Sequence, residues 1–203
     1  PIDSTREKNP RLIRSIRVPF HPKIPVPKYA APNTKHHTPH TTMLIAIDIG
    51  TTNIKAVAVS GAGDVLAVAE RQNATLNPQT GWQEQDPEAV FQYVVEVLAE
   101  VWAASKEEEK LSGIIFSSAM HGLMAVDKNG KPLTNILLWS DMRADAIARS
   151  LRQGREGLDI YRRTGVPIHA MSPLCKLIWM RQNQPHVFQK AHQFLDIKSY
   201  VWF

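Results

Sequence analysis

Apolar residues fall into short β-type runs at the start of the patterned part of the chain: 44 to 49 (Leu44 to Ile49, broken by Asp48), 54 to 59 (Ile54, Ala56, Val57, Val59) and 65 to 69 (Val65, Leu66, Val68). The breaks between them, Gly50-Thr51-Thr52-Asn53 and Ser60-Gly61-Ala62-Gly63-Asp64, are short and rich in turn formers. Runs of this kind predict consecutive antiparallel hairpins, so the fold should open with a meander. The period then changes. Asp86-Pro87 offers an N-cap and an N1 proline, and Val90, Phe91, Val94, Val95, Leu98, Val101 and Trp102 recur at helical spacing.

The stretch Lys106 to Lys110, with three Glu between, reads as a solvated helix end. Ile114 to Phe116 predict a buried strand, and Leu123 to Val126 followed by Asp127-Lys128-Asn129-Gly130 predict a strand and a turn. Helices are expected from about Arg143 to Gln153 and from Pro173 to Gln182, the second capped by Ser172. Strands, helix, strand and further helices define an α/β domain. No repeat of solenoid length is present.

Residues 1 to 42 follow no period. Eight of the 14 prolines lie there, and the segment is expected to be disordered. Its eight Lys or Arg against Asp3 and Glu7 also hold the positive charge, leaving 16 basic and 17 acidic residues in the remainder. A folded part without basic excess argues against nucleic acid as a partner. The leader's His36-His37-x-x-His40 cluster reads as a polar tail. No apolar run long enough for a signal-peptide core or a bilayer span occurs. The lone Cys175 has no disulfide partner and no zinc-type spacing, so a reducing compartment, the cytoplasm, is expected. Met43, where the pattern begins, is expected to be the functional start.

Candidate chemistry starts at Asp48-Ile49-Gly50-Thr51-Thr52-Asn53-Ile54-Lys55. An acid at a strand end, a glycine and two hydroxyls in a tight turn suit phosphate oxygens and a hydrated Mg²⁺. Taken alone, the same residues also fit an ordinary Gly-Thr turn. No G-x-x-x-x-G-K-[ST] loop is present, and Gly61-Ala62-Gly63 lacks the third glycine of a dinucleotide fingerprint.

Ile47-Asp48-Ile49-Gly50-Thr51-Thr52 resembles the opening phosphate hairpin of the actin-like, ribonuclease H-like superfamily, which includes the sugar kinases. Four further segments narrow the resemblance to FGGY carbohydrate kinases. In chain order they are Trp82 to Pro87, Ser117 to Gly122, Leu138 to Arg143, and Met171 to Asn183, the last fitting the FGGY signature at every constrained position. The resemblance implies a ribonuclease H-like N-terminal domain over residues 43 to 203, a mixed sheet flanked by helices and incomplete, with the C-terminal domain absent from this chain. It implies ATP and Mg²⁺ as cofactors. Asp48, Gly50, Thr51, Thr52, Asn53 and Lys55 would lie at the phosphates, with Asp48 toward the metal. Met120, His121, Trp139, Asp141 and Arg143 would bind the sugar. Trp82 and the Lys176 to Trp179 helix are expected to serve packing.

Within the family, Ser117 to His121, Lys131 to Thr134, Tyr161 to Pro173 and Ile197 to Tyr200 are similar to gluconokinases. Xylulokinases typically carry Gly-Gln-Met-His and Trp-Asn-Asp where this chain has Ala119 and Ser140. The expected reaction of the full-length enzyme is therefore transfer of the ATP γ-phosphoryl to D-gluconate, a sugar acid, giving 6-phosphogluconate. Xylulokinase or another pentulose kinase is the alternative. Arg143 and Lys176 are both candidates to meet the gluconate carboxylate. The catalytic base is expected beyond Phe203, so the 203-residue chain is expected to be an inactive fragment or, as a rival, a noncatalytic sugar-binding remnant. A homodimer of the full-length protein remains an open expectation.

Overall fold

A computed structural model describes residues 42–105 and 110–202. The leader and its histidine cluster, and most of the 106–110 charge run, lie outside these residues.

Strands β1 (Thr42–Ile49), β2 (Asn53–Ser60) and β3 (Val65–Gln72) form the meander, each pair antiparallel. The first strand thus begins at Thr42, whose carbonyl accepts from the Gly61 amide at 2.6 Å. A two-residue strand, β4 (Glu84–Gln85), leads into helix α1 (Pro87–Ala104). β5 (Lys110–Ser118) then runs parallel to β1, completing a mixed sheet of order β3-β2-β1-β5.

Alternation fixes which face is covered. Ile45, Ile47, Ile49, Ile54, Ala56 and Ala58 point to one side and are buried, beneath Val90, Val94, Val97 and Val101 of α1. Asp86 caps that helix through its carboxylate to the Glu88 amide at 2.9 Å, as the Asp-Pro pair predicted. The helical stripe is broader than the buried face. Phe91, Val95 and Trp102 stay exposed, with Phe91 meeting Tyr200 edge-on at 6.4 Å.

The rest of the chain follows β5 in sequence. It comprises β6 (Met124–Val126), β7 (Ile136–Leu137), α2 (Asp145–Gln153), α3 (Arg155–Thr164), α4 (Pro173–Asn183), α5 (Pro185–Lys190), β8 (Gln193–Leu195) and α6 (Ile197–Trp202). β4 pairs with β7 and β6 with β8, both antiparallel. Three expectations change here. Lys110 opens β5 rather than closing a helix. α3 follows α2 after the single residue Gly154 and ends on Gly165 at φ 70°, a left-handed stop that suits glycine. Ser172 holds the N-cap position of α4, yet its side chain makes no capping hydrogen bond.

Candidate active site

The β1–β2 turn closes through the Gly50 amide donating to the Asn53 carbonyl at 3.0 Å. A Cβ at position 50 would stand 2.8 Å from that same oxygen, so glycine is required by the hairpin's own closure. Two buried side chains hold the turn from beneath. Asn73 Nδ2 donates to the Gly50 carbonyl at 2.9 Å and Gln85 Nε2 to the Thr51 carbonyl at 2.8 Å, while the Asn73 amide donates to the Thr52 carbonyl at 2.7 Å. In a trans peptide the N–H of the next residue points opposite to the carbonyl. With the Gly50 and Thr51 carbonyls drawn toward Asn73 and Gln85, the Thr51 and Thr52 amides point away from those side chains, an orientation open to an anion.

Asp48 lies at the exposed end of β1, opposite Lys55 on β2 and Ser117 on β5. Lys55 Nζ is engaged by Glu70 on β3 at 3.3 Å, so it faces a carboxylate of its own sheet. Among the described residues no group of three His, Cys, Asp or Glu side chains converges. One carboxylate beside outward amides still fits hydrated Mg²⁺, which keeps several waters and takes one or two protein carboxylates with substrate phosphates.

The second cluster leaves β5 next door. Ile49 pairs with Ser118, and the Ala119 amide donates to the Ile49 carbonyl at 3.0 Å. Met120 then stands 71% exposed, and His121 is half-buried with φ 63°, a left-handed backbone that an ordinary residue adopts only where its surroundings hold it. Trp139 leaves the end of β7 with 47% of its surface exposed.

Asp141 and Arg143 have a different setting. Asp141 is 0% exposed and the Arg143 side chain 1%. Arg143 Nε donates to Asp141 Oδ1 and Nη2 to Asp141 Oδ2, both at 2.8 Å, and Nη2 also meets Glu84 Oε1. Trp82 lies against the guanidinium at 3.8 Å and Trp179 at 5.0 Å, in keeping with packing roles for both rings. The Gln83 amide donates to Asp141 Oδ2 at 2.7 Å, and Ser140 Oγ bonds Gln83 Oε1. The pair therefore presents no open face to a ligand and braces the segment carrying Trp139.

Lys176 is likewise 0% exposed. Its ammonium donates to the carbonyls of His121 and Leu138 at 2.7 Å each and of Leu137 at 3.3 Å. Burial pushes its pKa down to about 8, with Asp141 pulling it up and Arg143 pushing it down. Neither Arg143 nor Lys176 is placed to meet a substrate carboxylate, because both cations are buried against partners of this chain. Sequence reasoning missed Asn73, Gln85 and Glu84. The last two stand in the Trp82 to Pro87 segment, whereas Asn73 had no signal beyond its place after β3.

The β1–β2 turn and the turn carrying exposed Met120 and half-buried His121 thus stand at the adjoining carboxyl ends of the parallel strands β1 and β5, the edge of an α/β sheet where ligands commonly bind. The model of the FGGY family of carbohydrate kinases, N-terminal domain, matches residues 43–203, and the chain belongs to that family. It is 38% identical over 162 residues to a gluconokinase of Bacillus licheniformis, which covers 80% of this chain and 31% of the relative. A xylulose kinase of Bacillus subtilis (strain 168) is 33% identical over 163 residues, 79% of this chain and 32% of the relative. Among solved structures, gluconate kinase from Lactobacillus acidophilus superimposes with a TM-score of 0.77 at 30% identity, over 80% of this chain and 33% of that one. The chain thus spans about a third of the length of the relatives it matches. No helix among the described residues is long and apolar enough to cross a membrane.

Proposed function

We propose that this segment supplies the phosphate hairpin and part of the sugar site of an ATP-dependent gluconokinase, which converts D-gluconate to 6-phosphogluconate. The observation that carries it is adjacency: the anion turn after β1 and the Met120-His121 turn after β5 start from paired residues, Ile49 and Ser118. A nucleotide's terminal phosphate on the first and a polyol on the second would be neighbours, as phosphoryl transfer requires. The Thr51 and Thr52 amides would hold phosphate oxygens, with the Thr51, Thr52 and Asn53 side chains at the rim. Asp48 would hold a hydrated Mg²⁺, which supplies neutralisation of phosphate charge when bound. The His121 imidazole would bond substrate hydroxyls, and Trp139 and Met120 would lie against the sugar's C–H faces. Asp141 and Arg143 act through position, bracing Trp139. The base that takes the hydroxyl proton is assigned to the longer protein, outside these 203 residues.

Gluconate is favoured over xylulose by the higher identity to a gluconokinase and by Ala119 and Ser140. The test is steady-state kinetics of the longer kinase with both substrates. A higher kcat/KM for gluconate is expected, and a preference for xylulose would transfer the assignment to the pentulose kinases.

A further inference from the structure

His121 and Trp139 stand where a β-ladder stops. Leu123 and Leu137 exchange both backbone hydrogen bonds, at 3.0 and 2.8 Å. Continuing that antiparallel register by two residues would set His121 opposite Trp139, as the next hydrogen-bonded pair. The left-handed backbone of His121 breaks the register, and its carbonyl turns to the Lys176 ammonium instead. The same ammonium takes the Leu138 carbonyl, immediately before Trp139.

Building on the sugar-site assignment above, we propose that Lys176 is a positioning residue that clips the His121 turn to the Trp139 strand end and so sets the separation of the two sugar-facing side chains without touching the ligand. Three features support this. An ammonium has three donors, and three carbonyls converge on it, so it is matched in number as a planar guanidinium would not be. A charge buried this deeply is tolerated only where hydrogen bonds satisfy it, and here all of them run to the two segments that carry His121 and Trp139. The clip also supplies the external hold that a left-handed histidine needs. The titratable groups around it are Asp141 and Arg143, from the Trp139 segment, and the neighbouring Cys175 thiol.

The test uses the full 203-residue chain labelled with ¹⁵N and ¹³C. Couplings through the hydrogen bonds from Lys176 Nζ to the carbonyl carbons of His121 and Leu138 are expected, and their absence overturns the clip whatever ligands do. Lys176→Met keeps most of the unbranched stem and removes the donors. Backbone order at residues 120–122 and at the Trp139 indole should fall while residues 50–53 stay unchanged; uniform loosening of the domain, or no change, overturns the proposal. D-Gluconate titrated into the parent should shift the His121 and Trp139 signals, with affinity about tenfold lower in Lys176→Met, as expected when a supporting contact is lost. Equal affinity overturns the positioning role. Couplings present without gluconate shifts in the parent would remove the sugar-site assignment instead, and couplings absent with shifts present would remove the clip alone. If Lys176→Met does not fold, the parent's couplings decide.

Discussion

At the scale of single residues, Asp48 and His121 divide the chemistry. Asp48 sits beside the outward amides, so in the longer kinase Asp48→Ala should lower kcat about 100-fold, the effect of losing a charge-organising contact of about 3 kcal/mol. Gluconate KM should hardly move. His121→Ala should instead weaken gluconate by about 1 to 3 kcal/mol, the cost of unpaired polar groups, and leave the ATP KM near its parent value. Normal gluconate affinity in that variant would mean the imidazole faces no substrate. Lys176 adds a pH dependence whose sign follows from burial. Its folded pKa of about 8 lies below the ordinary 10.5, so between those values the unfolded chain binds more protons than the folded one. Stability attributable to Lys176 therefore rises with pH across that window, by at most about 3 kcal/mol. Burial raises the Cys175 thiol, which acts in the opposite sense, so the quantity to follow is the difference between parent and Lys176→Met in denaturant unfolding at pH 7.5 and 10. A difference independent of pH would show that the ammonium keeps an ordinary pKa.

At the scale of elements, the turn after β1 depends on side chains that arrive from other segments. Removing the Asn73 amide leaves the Gly50 carbonyl without that donor, and Asn73→Ala should cost about 1 to 3 kcal/mol in urea unfolding. A loss below 0.5 kcal/mol, roughly the scatter of neutral surface changes, would show that water replaces the amide. Periodicity and punctuation made β1, β2, β3 and α1 legible, because alternation, short turns and an Asp-Pro cap are local signals. The anion turn was legible for the same reason. What held it was not, since Asn73 and Gln85 lie 23 and 34 residues from the carbonyls they meet. The same limit applies to Asp141, Arg143 and Lys176. Their types suggested ligand contacts, while their partners come from distant segments: Glu84, Trp82 and Trp179 against Arg143, the Gln83 amide on Asp141, and the His121 and Leu138 carbonyls on Lys176. Helix α3 escaped notice because only Gly154 separates it from α2, although Gly165 marked its end.

At the scale of the whole molecule, the charge is unevenly placed along the sequence. The basic excess lies before the first strand, and the family match begins at residue 43. Deleting residues 1–41 should leave the melting temperature of the remainder unchanged while removing any salt-sensitive binding to anionic polymers. A large fall in melting temperature would show that the leader packs on the domain. Catalysis by the 203-residue chain alone meets a physical obstacle. Met120 at 71% and Trp139 at 47% exposure face water, and Asp48 lies on an open sheet face. In that setting each contact to a developing charge is screened by a high dielectric, and bound water competes for the phosphoryl group. The chain by itself should therefore form no 6-phosphogluconate from ATP and gluconate above the uncatalysed background, even where millimolar gluconate shifts the His121 signals. A coupled assay for 6-phosphogluconate checks this directly. Turnover that scales with chain concentration and disappears in Asp48→Ala would show instead that these residues complete a working site.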